Sequence, residues 1–192
     1  MRERPVWFNG RMLPAAPPRL TGIPVSLRPF QYGDEAMVTS ASTDPFLPLI
    51  TTVPAEGDAS EVRAFIDRQN RRTAEGVGYS FAIADARADE AVGQIGLWTS
   101  SVLAKGRASI GYWIAPGFRG RGYAAAALRV LVDWASTLPE IKRLELYVEP
   151  WNEGSWRTAE RCGFCRVGLL RSWEQVGDER KDMYMYSYIP AE

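Results

Sequence analysis

The sequence contains no histidine among its 192 residues. This absence excludes a Ser-His-Asp or Cys-His nucleophile system and any metal site that depends on imidazole ligands. A general base in this protein must therefore be a Glu, Asp or Tyr side chain, a terminal amine, or a relayed water. We predict no metal cofactor.

Net charge and long apolar runs are lacking as well. The 23 Lys and Arg residues equal the 23 Asp and Glu residues, so no overall basic field favours nucleic acid or an anionic membrane as a partner. The apolar runs end within about ten residues, which is too short to span a bilayer, and the N-terminal "MRERPVWFNG" has no apolar signal core. These features predict a cytoplasmic globular protein.

Cysteine is scarce, and the two cysteines, Cys162 and Cys165, lie together in "CGFC". A redox pair needs its first thiol at a helix N-terminus, where the dipole favours the thiolate. Here Cys162 follows a helical pattern, and Gly163 stands where a helix C-cap glycine belongs. The motif therefore predicts buried structural thiols rather than a redox or metal site.

The periodicity of the chain predicts one α/β domain, α+β in the stricter sense, preceded by an extended arm. Residues 1–24 contain five prolines and no clear period. Residues 25–192 give the order β-α-α-β-β-β-α-β-α-β-β, with hairpin-linked strands before a helical crossover. We predict a mixed, mostly antiparallel sheet of about six to seven strands flanked by about four helices. The apolar, proline-punctuated loop at 42–58 is predicted to pack against a substrate mouth.

A glycine-arginine turn, "RGRGYA", joins a strand pattern to an alanine-rich helix. The first turn of that helix has no acid, so its free N–H groups and the positive dipole end form an anion site, to which Arg119 and Arg121 add charge. A pyrophosphate suits such a site, and the alternative is a glycine-rich turn with surface arginines. No Walker loop is present, and the match of "GRGYAA" to a dinucleotide loop lacks the parallel-strand context that such a loop needs.

The same turn, Arg119 to Ala124, resembles the acyl-coenzyme A signature Q/R-x-x-G-x-G/A of the GNAT superfamily of N-acetyltransferases. The stretches "GYWIAPGFRGRGYAAAAL", "VEPWNEGSWRTAERCGF" and "GLLRSWEQVGDERKDMYMYS" resemble the branch that includes the RimJ/RimL ribosomal-protein N-terminal acetyltransferases. The resemblance runs from Val25 to the C-terminus. It implies the GNAT fold, acetyl-CoA as co-substrate and an amine as acceptor.

The resemblance also implies where the coenzyme binds. In this family the strand before the signature splays away from the next parallel strand, and pantetheine lies in the gap as a substitute strand. The signature amides hold the pyrophosphate, and Asn152 of the N-x-x-S motif contacts the pantetheine arm or caps a helix. The implied cofactor-binding residues are Tyr112, Trp113, Ile114, Arg119, Gly120, Arg121, Gly122, Tyr123, Ala124, Asn152 and Ser155.

Two residues are predicted to be catalytic, Glu149 and Ser155. By the resemblance, Ser155 lies near the thiol as a proton donor or polariser. Glu149 ends a strand beside the gap and is the first candidate for the general base, directly or through water. Its reserves are Tyr112, Glu145 and Tyr147. The alternative for the two glutamates is a solvated strand face paired with Lys142 or Arg143.

The acceptor is left open between a protein N-terminal amine and a small molecule such as a metabolite or antibiotic. An aminoglycoside would need an acidic pocket, for which the candidates are Glu145, Glu149, Glu153 and Glu174. Tryptophans are candidates for an acceptor pocket, core positions or the contacts of a homodimer. They include Trp98, Trp113, Trp151, Trp156 and Trp173. Asp182 is predicted to be a structural partner of Arg171. A non-catalytic acyl-CoA-binding regulatory protein is the alternative from another class.

Overall fold

The computed structural model of the protein describes residues 6–8 and 11–191. The strands are β1 (Val6–Phe8), β2 (Arg11–Leu13), β3 (Leu20–Thr21), β4 (Val25–Arg28), β5 (Gly78–Asp85), β6 (Ala91–Trp98), β7 (Arg107–Ile114), β8 (Arg143–Val148), β9 (Cys165–Val176) and β10 (Glu179–Tyr188). The α-helices are α1 (Glu35–Ser42), α2 (Leu47–Ile50), α3 (Ala59–Arg71), α4 (Val102–Lys105), α5 (Tyr123–Ser136) and α6 (Glu153–Arg161). Short 3-10 helices cover Tyr32–Asp34 and Pro116–Phe118.

The main sheet is mixed and mostly antiparallel, as predicted. Its order is β3-β4-β5-β6-β7-β8-β10-β9, and β7 with β8 is its parallel pair. Within the described residues it has eight strands, because the two-residue β3 adds to the seven that periodicity indicates. The helices also exceed the predicted four, since α2 and α4 have four residues each, too few to leave a helical period. Of the helices described, none is long and apolar enough to cross a membrane.

The described part of the N-terminal segment pairs with a strand of the main sheet only at its end. β1 and β2 pair with each other as a separate antiparallel hairpin, whereas β3 pairs with β4. Part of the predicted arm, residues 1–5, 9 and 10, lies outside the described residues. A boundary between arm and domain at residue 25 stays a prediction.

Helices cover both faces of the sheet. The apolar stripe of α5 packs on one face, with Leu128 and Leu131 completely buried. α1 and α3 pack on the other face, around the completely buried Phe65. The predicted cap of α3 is confirmed, because the Asp58 carboxylate accepts a hydrogen bond from the Glu61 N–H at 2.8 Å.

The sheet splays open between its two parallel strands. β7 pairs with β8 only at residues 107–109 and 143–145. Beyond that point β7 stays paired with β6 as far as Ile114, while β8 stays paired with β10 as far as Val148. Each strand therefore follows its outer neighbour, and a gap opens between the C-terminal halves of β7 and β8.

The two cysteines depart from the sequence prediction in part. Gly163 has a φ of +84°, the left-handed conformation expected of a glycine that ends α6. Cys162 is half-buried and Cys165 is exposed on β9, and both thiols are free. The prediction of buried thiols is therefore wrong for Cys165, because β9 is an edge strand whose residues are mostly exposed.

Candidate active site

The turn after β7 needs glycine for its backbone conformation. Gly120 and Gly122 have φ values of +76° and +80°, a region that side-chain-bearing residues rarely adopt. A Cβ built on either glycine meets no atom within 4 Å. The glycines therefore face open space, and the backbone here is accessible to a ligand.

Helix α5 begins without a side-chain cap. Gly122 is its N-cap residue, and no acid lies in its first turn. The bond from the Ala126 N–H to the Gly122 carbonyl, at 3.1 Å, spans the first turn. The N–H groups of residues 123–125 precede it and have no helical acceptor. Together with the dipole they make this helix end suitable for an anion.

The gap between β7 and β8 continues into a groove of about 480 Å³, which we call the splay groove. All the residues predicted to contact the coenzyme line it. It is lined by Asp44, Phe46, Leu47, Ile50, Tyr112, Trp113, Ile114, Phe118, Arg119, Gly120, Arg121, Gly122, Tyr123, Ala124, Ala125, Trp151, Asn152, Gly154, Ser155, Thr158 and Arg161. The loop predicted to pack against a substrate mouth supplies the first four. The sequence gives no local signal for Asp44 or Arg161.

Both arginines of the turn brace it through their side chains. Arg119 forms an ion pair with Asp44 at 2.6 Å and donates to the Ile114 carbonyl at 3.0 Å. Arg121 donates to the Gly117 carbonyl at 3.0 Å. Burial raises the pKa of Asp44, but two backbone N–H donors and Arg119 outweigh it, so the net pKa is lowered. Arg119 thus ties the loop before α2 to the turn.

A hydrogen-bonded pair crosses the splay groove between Tyr112 on β7 and Ser155 in α6. The Tyr112 hydroxyl donates to the Ser155 carbonyl at 3.0 Å, and the Ser155 hydroxyl donates to the Tyr112 oxygen at 3.1 Å. Burial raises the pKa of Tyr112 to about 12. Asn152 is the N-cap of α6, and its side chain accepts from the Ser155 N–H at 3.1 Å.

Glu149 lies outside the splay groove and lines a second, wider one of about 820 Å³. This acidic groove, as we call it, is lined by Phe46, Leu49, Glu149, Pro150, Trp151, Val176, Gly177, Asp178, Glu179, Lys181 and Asp182. Phe46 and Trp151 line both grooves. Their rings meet edge to face, with centroids 4.8 Å apart, and form the wall between the two.

The Glu149 carboxylate is buried and only half satisfied. The side chain is 7% exposed, and one oxygen accepts from the Trp151 indole N–H at 2.8 Å. The other oxygen, Oε1, is buried and has no hydrogen-bond partner among the described residues. Such an oxygen costs free energy until a donor reaches it, so Glu149 is suited to meet an ammonium group or a water.

Two of the three reserve candidates for the base, Glu145 and Tyr147, are engaged with each other. Glu145 is 5% exposed and accepts from Arg143 at 2.9 Å and from the Tyr147 hydroxyl at 2.8 Å. Burial and this hydrogen bond raise the pKa of Tyr147 to about 12. Pairing with Arg143 is correct for Glu145, but a solvated strand face is wrong for both glutamates. Glu145 is buried among Arg143, Arg107 and Tyr147, and Glu149 is buried beside Trp151.

Other predicted residues are dispersed. The Asp182 carboxylate accepts from the Ser172 N–H at 2.7 Å, so its partner is this backbone group rather than Arg171. Trp173 stacks on Tyr147 with ring centroids 5.8 Å apart, and Trp113 is buried. Of the four glutamates considered for an acidic pocket, only Glu149 lines the acidic groove.

Comparisons with known proteins agree on one family. A family model described as an acetyltransferase (GNAT) domain matches residues 25–165. The uncharacterized N-acetyltransferase p20 of Bacillus licheniformis is 29% identical over 168 residues, which cover 88% of this chain and 94% of that protein. The structure of Mycobacterium smegmatis RimJ in complex with CoA-disulfide is 25% identical, with a TM-score of 0.75, over 86% of this chain and 81% of that one. A GNAT-family acetyltransferase from Bacillus anthracis has the same fold, with 20% identity and a TM-score of 0.75 over 91% of this chain and 99% of that one.

Proposed function

The chain belongs to the GNAT acetyltransferase family, and from that premise we propose that it transfers an acetyl group from acetyl-CoA to a primary amine. The observation that carries this proposal is the splay groove, which runs from an unpaired stretch of two parallel strands to an uncapped helix N-terminus. A buried, half-satisfied carboxylate lies across one aromatic wall from it.

The residues present fit acetyl-CoA. An extended pantetheine arm suits the gap, where β7 beyond Ser109 and β8 beyond Glu145 are no longer paired with each other. The backbone of residues 120–125 presents N–H groups and left-handed glycines to a pyrophosphate. Arg161 lines the same groove and adds positive charge. When bound, acetyl-CoA supplies the acetyl group as a thioester.

We assign the proton transfers to Glu149 and Ser155. The Glu149 carboxylate accepts a proton from the acceptor ammonium, directly or through a water, so that the nitrogen lone pair is free to attack the thioester carbonyl. As the amide forms, the nitrogen gives up its second proton and the departing sulfur takes up one. The Ser155 hydroxyl turns its proton from the Tyr112 oxygen to the sulfur, and water returns a proton to the serine. Before this step the hydrogen bond to the Tyr112 oxygen holds the hydroxyl in place, while Tyr112, with a pKa of about 12, stays neutral and donates to the Ser155 carbonyl.

The acceptor itself is assigned only as a primary amine. The similarity to RimJ favours a protein N-terminus, while the acidic groove favours a small cationic molecule. A purely regulatory acyl-CoA-binding protein is disfavoured, because such a protein has no use for the half-satisfied carboxylate of Glu149. A homodimer and a cytoplasmic location stay predictions.

The test is a pair of measurements on the full chain. Calorimetric titration with acetyl-CoA should give a micromolar Kd, and thiol release from acetyl-CoA should rise when primary amines are added. Desulfo-CoA, which keeps the pyrophosphate, serves as a control for binding through the turn. A folded protein that binds no acetyl-CoA would sink the proposal. Binding without amine-dependent thiol release would favour the regulatory alternative.

A further inference from the structure

The acidic groove carries an excess of negative charge beyond what a general base requires. It is lined by four carboxylates, those of Glu149, Asp178, Glu179 and Asp182, and by one ammonium group, that of Lys181. Lys181 pairs with Glu179. Asp178 lies in the two-residue turn between β9 and β10 and belongs to no ion pair of the described residues. The side chains that line the acidic groove therefore carry a negative net charge.

A second observation marks the groove as a ligand site. Glu149 is 93% buried, since 7% of it is exposed, and its Oε1 has no hydrogen-bond partner among the described residues. Burying a carboxylate oxygen in this way is costly unless a donor arrives to pair with it. An ammonium group in the acidic groove supplies both the hydrogen bond and the opposite charge.

The wall between the grooves also suits a cation. Trp151 is 60% exposed and lines both grooves. The face of a tryptophan attracts a cation, and the attraction grows as the cation is desolvated. An ammonium that contacts Trp151 and Glu149 therefore lies next to the splay groove, where the thioester is proposed to lie.

The carboxylates are spread along β10 rather than gathered around Glu149. β8 and β10 run side by side, with Val148 opposite Tyr184, so Asp182 is near the level of Glu149. Glu179 lies three residues further along β10, which is about 10 Å at the usual rise of a strand. A ligand that reaches both ends of this row needs two cationic groups that are separated by several bonds.

We propose that the acidic groove binds the acceptor, and that the acceptor is a small amine carrying at least one further cationic group besides its reacting nitrogen. The proposal rests on the acetyl-transfer function above. Glu149 and Trp151 bind the reacting amine, and Asp178 and Glu179 bind the second cationic group. A protein N-terminus with uncharged neighbours uses only the first of these contacts.

The test compares 1,5-diaminopentane with pentylamine, which has the same chain and one amine fewer. A third acceptor is a short peptide with a free N-terminus and uncharged side chains. Thiol release is measured at saturating acetyl-CoA. We expect kcat/KM for the diamine to exceed that for pentylamine by about tenfold, the equivalent of 1.4 kcal/mol, and this ratio to fall as salt is added.

A double substitution tests whether the preference for the diamine arises from the acidic groove. Asp178→Asn with Glu179→Gln should bring the ratio between diamine and pentylamine close to one. The matched control, Asp133→Asn with Glu56→Gln, removes two exposed carboxylates outside both grooves and should keep the wild-type ratio. A calorimetric titration with acetyl-CoA checks that both double variants are folded and load the co-substrate.

The remaining outcomes overturn the inference in distinguishable ways. Equal kcat/KM values for the diamine and pentylamine would mean that the acceptor needs no second cationic group. A clear preference for the peptide would mean that the acceptor is a protein N-terminus. Either outcome is compatible with the acetyl-transfer function. A diamine preference that survives Asp178→Asn with Glu179→Gln places the acceptor elsewhere. No transfer to any of the three, by a protein that binds acetyl-CoA, overturns the transfer function together with the inference.

Discussion

The splay groove and the acidic groove lie on either side of Trp151 and differ in how the chain builds them. The chemical core of the splay groove comes from backbone, namely two left-handed glycines, an uncapped helix end and unpaired strand edges. The acidic groove is built from side chains, with carboxylates from the end of β8 and from the hairpin between β9 and β10. A backbone site suits a part of a ligand that is always the same, whereas a side-chain site is easily altered for a particular acceptor.

The prediction with the largest expected effect tests the acidic groove. Glu149→Gln keeps the size of the side chain and the acceptor for the Trp151 indole N–H but removes the proposed base. We expect kcat to fall by about 10³-fold, within the range known for positioned general bases, while the Kd for acetyl-CoA stays near its wild-type value. Steady-state thiol release and calorimetry measure the two.

The control for this substitution is Glu153→Gln, which changes an exposed glutamate at the start of α6 that lines neither groove. It should leave kcat within about twofold, as expected of an exposed salt bridge. If Glu149→Gln retained wild-type kcat, Glu149 would not be the base and the two grooves would not share the chemistry as proposed.

The second prediction tests the splay groove, at the turn before α5. Gly122→Glu introduces a carboxylate at the N-cap of α5, where it repels a pyrophosphate and occupies the space that the glycine leaves open. We expect the Kd for acetyl-CoA to rise about 100-fold, a loss of about 2.7 kcal/mol. The left-handed φ of +80° adds a folding cost of about 1–2 kcal/mol, which thermal unfolding measures separately.

The matched control is Gly117→Glu, which adds the same charge in the preceding 3-10 helix. A Cβ at Gly117 meets no atom within 4 Å, and Gly117 lines neither groove. Its Kd for acetyl-CoA should stay within about threefold of wild type, since an exposed charge beyond the helix end acts weakly. A folded Gly122→Glu protein that binds as tightly as wild type would mean that the turn is not the pyrophosphate site.

The sequence revealed these two regions to different degrees, for a physical reason. The signature from Arg119 to Ala124 is contiguous, and the conformation of its glycines is a local property, so the turn and its helix can be recognised from the sequence alone. Seven of the eight strands of the main sheet are predicted from the sequence, whereas the two-residue β3 is too short to leave a pattern.

The acidic groove has no such local signature. Phe46, Trp151 and Asp178 come from three distant segments. The pairing of β8 with β10 brings Trp151 near Asp178, and Phe46 reaches them by packing on Trp151. The position of Glu149 at a strand end predicts a base there, which stays a prediction. The other glutamates considered for an acidic pocket, Glu145, Glu153 and Glu174, do not line the groove, whereas Asp178, Glu179 and Asp182 do. The ion pair between Asp44 and Arg119 has the same origin, since it joins residues 75 positions apart.

A third prediction concerns Tyr112, which lines the splay groove, and the pH dependence of stability. The pKa of Tyr112 is about 12 in the folded protein against 10.0 for an ordinary tyrosine. Between these values the folded state holds a proton that the unfolded chain has lost. The stabilisation is therefore complete below pH 10 and is lost as the pH rises through 12.

Tyr112→Phe removes this dependence. From pH 9 to pH 12 the free energy of unfolding of the variant should fall by about 2 kcal/mol less than that of wild type. Urea titrations at fixed pH values measure the difference. Tyr188→Phe is the comparison, because that tyrosine is also half-buried, lies in neither groove, and its hydroxyl makes no hydrogen bond to the described residues. If Tyr112→Phe and wild type lost stability in parallel, the Tyr112 hydroxyl would not be held in its protonated form by the fold.

The smallest expected effect decides which role Arg119 plays. The signature predicts a direct contact with the pyrophosphate, but the side chain is paired with the buried Asp44 at 2.6 Å. If Arg119 acts through that pair, then Arg119→Met and Asp44→Asn should each raise the Kd for acetyl-CoA about threefold. The double variant should then cost no more than either single one, with a coupling energy of about 0.5–1 kcal/mol.

If Arg119 instead binds phosphate directly, Asp44→Asn should tighten binding by freeing the guanidinium, and only Arg119→Met should weaken it. Asp44 also holds the loop before α2, because its carboxylate accepts from the Phe46 and Leu47 N–H groups. Unfolding measurements on the same three variants therefore separate a loss of stability from a loss of acetyl-CoA binding. The same loop contributes Phe46 to the wall between the grooves. A coupled result would thus make Arg119 the link through which the backbone site positions one side of the acceptor site.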